Sequence, residues 1–228
     1  MKRKKTKAII LAAGNSVRYG QNRNKNLEII NNKTILEYSL KEFNQNKNID
    51  NIIIVAKESE QETINEIIYK NRTSKPIKTV IGGNTRQESV YNAINSTDSK
   101  IVLIHDAARP MIKQEYIDNC INEMDNYKAV TIGVKSKDTI KIADDFGIIN
   151  HTTERKNTWI IQTPQCFDRL SLLSAHNKFK NDPSITDDCM ILEKNNETVK
   201  IIPGDYSNIK LTTFDDLTLV NEYLKGMN

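Results

Sequence analysis

Short apolar runs separated by longer stretches of helical period constrain this chain of 228 residues more than any other feature. The runs are Ala8-Ile9-Ile10-Leu11-Ala12, Ile52-Ile53-Ile54-Val55, Ile77 to Ile81, Ile101-Val102-Leu103-Ile104 and Ala129-Val130-Thr131-Ile132. Successive side chains of a strand point to opposite faces, so a run without polar alternation belongs to a strand covered on both sides. Between the runs, Thr34 to Phe43 carries Ile35, Leu36, Leu40 and Phe43 at helical spacing, and Thr85 to Ile94 places Val90, Ala93 and Ile94 on one face. Glu58 to Tyr69 and Gln114 to Met124 supply two more helices. This alternation predicts an α/β fold: a Rossmann-like, mostly parallel twisted sheet flanked by helices, with right-handed crossovers. Ligands of such sheets bind beyond the carboxyl ends of the strands.

One segment, about residues 136–157, interrupts the pattern. It is polar, and the Asp144-Asp145-Phe146-Gly147 turn lies between two β-prone pieces, which reads as a hairpin. With little core-directed apolar surface it should protrude as an arm, and a protruding arm packs on another chain, so a homodimer is expected. Trp159-Ile160-Ile161 then rejoins the sheet. Helices from about Asp168 to Phe179 and Asp187 to Lys194, strand Val199 to Ile202 and helix Phe214 to Leu224 complete the fold. No shift in composition marks a linker, so residues 1–228 read as one domain with an arm.

Several classes are excluded. No run of about 18 apolar residues exists, so no membrane span is expected. The apolar stretch Ala8 to Ala13 behind a basic N-terminus is too short for a signal peptide and runs into Gly14. Cys120, Cys166 and Cys189 are far apart with no CxxC pair, which argues for reduced thiols and against a zinc site. A cytoplasmic protein is expected. The net charge of +4 is mild and the one dense basic cluster, Lys2 to Lys7, reads as a solvated terminus, so nucleic acid is not expected as a partner.

The chemistry-bearing residues fall after strands. Leu11-Ala12-Ala13-Gly14, followed by Arg18 and Lys25, combines small residues whose amides can meet a phosphate with two cations. It is neither the dinucleotide glycine fingerprint nor a P-loop. Gly82-Gly83-Asn84-Thr85-Arg86-Gln87-Glu88-Ser89 suits hydrogen bonding to a base or ribose, or else forms a tight turn capped by Asn84 or Thr85. His105-Asp106-Ala107-Ala108-Arg109-Pro110 ends a strand with an acid able to hold Mg²⁺ against a polyphosphate, and His105 reads as a structural hydrogen-bonding residue. Thr152-Thr153-Glu154-Arg155, Thr163-Pro164-Gln165, Thr186-Asp187-Asp188 and Asn208-Ile209-Lys210-Leu211-Thr212-Thr213 read singly as turns, caps or solvated charges.

Taken in order, these clusters resemble the 2-C-methyl-D-erythritol 4-phosphate cytidylyltransferases. That family shows L-A-A-G-x-G-x-R-M-G, P-K-Q, G-G-x-x-R-x-x-S-V, H-D-A-A-R-P, D-T-x-K, a D-R or E-R pair, T-P-Q, T-D-E and N-I-K-x-T, and matches run here from about Ala8 to Leu217. The resemblance implies a nucleotidyltransferase that moves cytidylyl from CTP to a polyol phosphate with Mg²⁺ and releases pyrophosphate. It implies that Leu11 to Gly14, Arg18 and Lys25 hold the triphosphate, and that Gly83, Asn84, Arg86 and Ser89 read cytosine and ribose. Asp106, beside Ala107, would sit at the metal. Thr139, Arg155 and Lys210 would grip the acceptor phosphate, with Arg155 and the arm reaching into a partner subunit's site. Thr186 and Arg109 would line the acceptor pocket. Arg18, Lys25, Arg155 and Lys210 carry the expected catalytic charge.

The chain departs from the pattern at Ser16 for a glycine, Tyr19 for a methionine, Asn24-Lys25-Asn26 for P-K-Q, and Thr186-Asp187-Asp188 for T-D-E. Relatives that use ribitol 5-phosphate show H-D-A-V-R-P and S-D-A, so Ala108 and Thr186 favour methylerythritol phosphate. A glycosyltransferase would show an Asp-x-Asp motif, and none follows Ile104; a non-catalytic paralogue would have lost a cation or Asp106.

Overall fold

The computed structural model describes residues 5–14, 19, 24–180 and 182–225; Arg18 and Ser16 lie outside the described residues. In chain order the elements are β1 (Thr6–Leu11), β2 (Ile29–Ile30), β3 (Lys33–Thr34), α1 (Ile35–Gln45), β4 (Asn51–Ala56), α2 (Gln61–Lys70), β5 (Ile77–Ile81), α3 (Arg86–Asn95) and β6 (Ile101–Asp106). They continue with α4 (Gln114–Glu123), β7 (Ala129–Lys135), β8 (Lys141–Ala143), β9 (Ile149–Thr152), β10 (Trp159–Asp168), α5 (Arg169–Lys178), α6 (Asp188–Lys194), β11 (Val199–Pro203) and α7 (Asp215–Lys225).

A seven-stranded sheet in the order β11-β7-β10-β6-β1-β4-β5 forms the centre. Consecutive apolar residues in one strand feed opposite cores, as the lack of alternation requires. Ile10, Ile52, Ile54 and Leu103 face Leu36, Leu40 and Phe43 of α1, with Ile64 of α2 and Ile117 of α4. Ile9, Ile53, Val102 and Ile104 face Val90 and Ile94 of α3, Leu172 of α5 and Leu192 of α6. Each fully buried side chain of this size contributes about 1.5–3 kcal/mol over its exposed state. The helices start where sequence supplies a cap: Thr34 and Glu37 form a capping box on α1, Thr85 accepts from the Glu88 amide, and Asp187 accepts from the Met190 amide.

The direction of β10 was not anticipated by the apolar pattern. It pairs antiparallel with both β6 and β7, while every other pair of the large sheet is parallel. Thr163-Pro164-Gln165, which reads as a turn, lies inside β10, where the register shifts between Ile161 and Gln165 and the Thr163–Pro164 bond is cis. Proline has no amide to give to a ladder, and it sits at the irregular part of the strand.

The hairpin arm is present as expected. β8 and β9 pair antiparallel and every residue of both is exposed. The Asp144 carboxylate accepts the amides of Phe146 and Ile148 at 3.0 and 2.9 Å, and Gly147 takes a φ of 79° to close the turn. Phe146 at the tip is 90% exposed, with Ile148 and Ile149 beside it.

His105, fully buried at the end of β6, fastens that end to three neighbours. Its Nε2 lies 3.1 Å from the Arg109 carbonyl oxygen and 3.3 Å from the Ser39 hydroxyl of α1. Its Nδ1 lies 3.0 Å from the Thr163 hydroxyl of β10, which accepts the Asp106 amide. Burial pushes the imidazole down from 6.5 to about 4 against the pull of Asp106, so the ring is neutral at pH 7. The unfolded chain takes up this proton near pH 6.5 while the native state refuses it until about pH 4, so stability falls as the pH drops through that window. That loss should amount to about 3 kcal/mol at 1.36 kcal/mol per pH unit. His105→Gln, which keeps a donor and an acceptor, should flatten the fall in urea midpoint between pH 6.5 and pH 4; an unchanged slope would reject this role.

Candidate active site

Two cavities open at the carboxyl ends of the parallel strands and share one wall. The smaller, about 200 Å³, is lined by Leu11, Ala13 and Gly14 after β1, by Lys25 and Asn26, and by Gly83, Asn84, Thr85 and Ser89 before and within α3. Backbone packs tightly here. A Cβ on Gly82 would meet Ala13 Cβ at 2.6 Å, and one on Gly83 would meet Glu88 Cβ at 2.3 Å. The Gly83 amide donates to Ser89 Oγ at 3.1 Å and the Asn84 amide to Glu88 Oε2 at 2.7 Å, which shapes the loop ahead of α3.

Lys25 opens a short 3₁₀ turn at Lys25–Leu27 that Asn24 caps by accepting the Asn26 amide. The side-chain amides of Asn24 and Asn26 both donate to the Ala12 carbonyl, at 2.8 and 3.0 Å. Asn24 also reaches Glu60 at 2.8 Å. The two asparagines therefore fasten the approach to Lys25 to the backbone just after β1.

The larger cavity, about 620 Å³, is lined by Arg109, Gln162, Thr163 and Gln165, by Thr186 and Asp187 ahead of α6, by Thr131 of β7, and by apolar residues of β10, β11 and α6. Arg86, Asp106 and Lys210 line both cavities. Lys210 Nζ lies 2.5 Å from Asp106 Oδ2, and Arg86 Nε lies 3.4 Å from Asp106 Oδ1. Arg86 Nη1 in turn donates to Asp188 Oδ2 at 2.7 Å. Burial opposes the Asp106 charge, but Arg86 and Lys210 outweigh it and hold the carboxyl well below the usual carboxylate range. Burial likewise opposes the Arg86 charge, and Asp188 and Asp106 overcome that, so the pair of opposite charges stays ionised at any working pH.

Most of the expected residues meet here. Leu11, Ala13, Gly14, Lys25, Gly83, Asn84 and Ser89 form the small cavity, Arg109 and Thr186 the large one, and Asp106 and Lys210 the common wall. Ala12 and Ala107 do not line either cavity. Ala12 is buried with its carbonyl taken by the asparagines, and the Ala107 amide donates to the Leu11 carbonyl, so Ala108 takes the lining position. Arg86 lines the small cavity as expected of a nucleotide-binding residue, and its guanidinium is engaged by two carboxylates. Arg109 donates to the Asn208 carbonyl at 2.7 Å and steadies the loop that carries Lys210. Thr139 and Arg155 lie apart on the arm, bonded to each other at 2.8 Å and exposed, and line neither cavity.

Sequence reasoning missed Gln165, Asn26 and Asp188. Asp188 is wholly buried rather than solvated, and Gln165 is buried and donates to Asp187 at 2.7 Å. Asn26 carries a buried Oδ1 without a hydrogen-bond partner beside the small cavity. The three cysteines are free and buried, as expected, and burial raises their thiols. Among the described residues no group of three His, Cys, Asp or Glu is placed to hold a metal. Among the described residues Asp106 is the one carboxylate lining the small cavity, a donor set that fits a hard cation arriving with a polyphosphate rather than one caged by protein.

The family model described as 2-C-methyl-D-erythritol 4-phosphate cytidylyltransferase matches residues 6–226. A protein of that name from Clostridium botulinum (strain 657 / Type Ba4) is 42% identical over 226 residues, covering 98% of this chain and 99% of the relative. One from Caldanaerobacter subterraneus subsp. tengcongensis is 41% identical over 222 residues, 96% of this chain and 98% of the relative. The crystal structure of a 4-diphosphocytidyl-2C-methyl-D-erythritol synthase from Anaerococcus prevotii DSM 20548 superposes with a TM-score of 0.88 at 34% identity, covering 98% of this chain and 100% of that one. Fold, motifs and near full-length matches agree: the chain belongs to the 2-C-methyl-D-erythritol 4-phosphate cytidylyltransferase family.

Proposed function

We propose that this protein transfers the cytidylyl group of CTP to 2-C-methyl-D-erythritol 4-phosphate, giving 4-diphosphocytidyl-2-C-methyl-D-erythritol and pyrophosphate. The observation that carries the reading is the wall of Arg86, Asp106 and Lys210 common to two cavities, since such a wall lets two anionic substrates meet. The small cavity suits the nucleoside, with the Gly83–Asn84 backbone and Ser89 as its polar edge and Lys25 toward the phosphates. The large cavity suits the polyol, with Arg109, Thr163 and Thr186 around it.

The acceptor's phosphate oxygen attacks the α-phosphorus of CTP, the α–β phosphoanhydride bond breaks, and the electron pair leaves on pyrophosphate. A phosphate monoester is already an anionic nucleophile, so no general base is required, and His105 is fastened and neutral. The work left to the protein is positioning and charge stabilisation. Lys25 and Arg18 suit the leaving group, and Lys210 offsets repulsion of the incoming phosphate. Mg²⁺, when bound with CTP at Asp106, would neutralise charge on the polyphosphate.

The exposed apolar tip of the arm, with Phe146, Ile148 and Ile149, supports a homodimer in which the arm carries Thr139 and Arg155 to the partner subunit's acceptor phosphate. The pairing of Arg155 with Thr139 holds the guanidinium ready for an anion that its own subunit's cavities do not present.

Lys25→Ala and Lys210→Ala should each lower kcat/KM roughly a hundredfold, about 3 kcal/mol, by comparison with loss of a single transition-state donor. Near wild-type rates in both would reject the charge assignment. Phe146→Asp with Ile148→Asp should halve the mass in sedimentation and cut turnover together; a two-chain species that persists would reject the arm as the dimer contact. Pyrophosphate release from CTP and Mg²⁺, run with methylerythritol 4-phosphate and with ribitol 5-phosphate, should be rapid only with the first. Release with ribitol 5-phosphate alone would transfer the enzyme to that acceptor.

A further inference from the structure

Asp188 is a fully buried acid that lines neither cavity. Its Oδ2 accepts from Arg86 Nη1 at 2.7 Å, while its Oδ1 has no hydrogen-bond partner. His176 Nε2 of α5, itself buried and without a hydrogen-bond partner, faces Oδ1 at 3.5 Å. A buried carboxylate with half of its acceptor capacity unused destabilises the fold, and replacing a buried ion pair by apolar side chains is often neutral or better. Apolar packing therefore does not call for an acid here; the acid faces Arg86 closely and His176 more loosely, in the first turn of α6.

Arg86 gives a reason for the acid. Its guanidinium is held closely by Asp188 but reaches Asp106 only through Nε at 3.4 Å, while Asp106 has its close partner in Lys210 at 2.5 Å. We propose that Asp188 is a positioning residue for the transfer reaction, holding Arg86 at the wall between the cavities and keeping it from closing onto Asp106. With the Asp188 charge removed, Asp106 becomes the carboxylate paired directly with Arg86. Two close cations then compete for Asp106, which is less able to exchange a partner when polyphosphate arrives. Asp188 also links two walls. Thr186, Asp187, Cys189 and Met190 around it line the large cavity, whereas Arg86 opens α3, whose Thr85 and Ser89 line the small one.

The inference rests on the proposed reaction, and two readouts separate the failure of either. Asp188→Asn keeps the shape and removes the charge. It should lower kcat at least tenfold while KM for CTP moves less than threefold. In an Arg86→Gln background the same substitution should change kcat less than twofold, whereas its effect on melting temperature persists. Wild-type kcat in Asp188→Asn, or losses that multiply in the double variant, would overturn the proposal. Without substrates, the Arg86 Nε–H resonance, assigned by its loss in Arg86→Gln, should shift in Asp188→Asn; an unmoved resonance overturns the positioning role. Wild-type protein silent toward both polyol phosphates would overturn the reaction and leave that resonance test standing. If Asp188→Asn does not fold, Asp188→Glu, which keeps the charge and is the residue of the family's T-D-E, should hold kcat within threefold of wild type; a tenfold loss there would overturn the proposal.

Discussion

Asp106 ends β6, a strand buried along its whole length, and its carboxylate holds together two cations that come from 20 and 104 residues away in the chain. Two like charges about 4 Å apart near a protein surface repel by about 4 kcal/mol at an effective dielectric constant of 20. The Asp106 carboxylate, in contact with both Arg86 and Lys210, offsets that repulsion. The acid needs them in turn, because burial alone would neutralise it. Where this wall stands decides where the cavities divide and where two anions can meet.

The sheet decides the position of the wall. Parallel strands bring their carboxyl ends to one edge, so the loops after β1, β5 and β6 converge without any long excursion of chain. β10 enters between β6 and β7 in the opposite sense. Its Thr163 thereby meets His105 and the Asp106 amide, and its Thr163 carbonyl accepts from Asn208 at 3.0 Å. One reversed strand thus fixes the end of β6 and the loop that carries Lys210.

Much of this was legible in the sequence, and what was not has a physical cause. Doubled apolar residues such as Ile9-Ile10 and Ile53-Ile54 declared strands covered on both faces, and each pair does split between the two cores. Strand direction left no such mark, because a buried strand is apolar whichever way it runs. Thr163-Pro164-Gln165 resembled a turn since proline and two polar residues rarely sit in a central strand, and only their partners His105, Asn208 and Asp187 reveal why they do here. Asp188 looked solvated because an acid is buried only when paired, and its partner Arg86 is 102 residues away.

The Asn24-Lys25-Asn26 segment shows how a local departure is absorbed. Proline would restrict the approach to Lys25 through its fixed φ, an effect on the backbone alone. Asparagine has no such restriction, yet its side chain carries both donor and acceptor. Asn24 uses the acceptor to cap the turn and the donor to reach Ala12 and Glu60, and Asn26 adds a second donor to the same Ala12 carbonyl. Three hydrogen bonds to fixed backbone and a neighbouring loop replace one covalent ring. The constraint moves from the residue before Lys25 to the end of β1, so the lysine is referenced directly to the strand whose loop lines the same cavity.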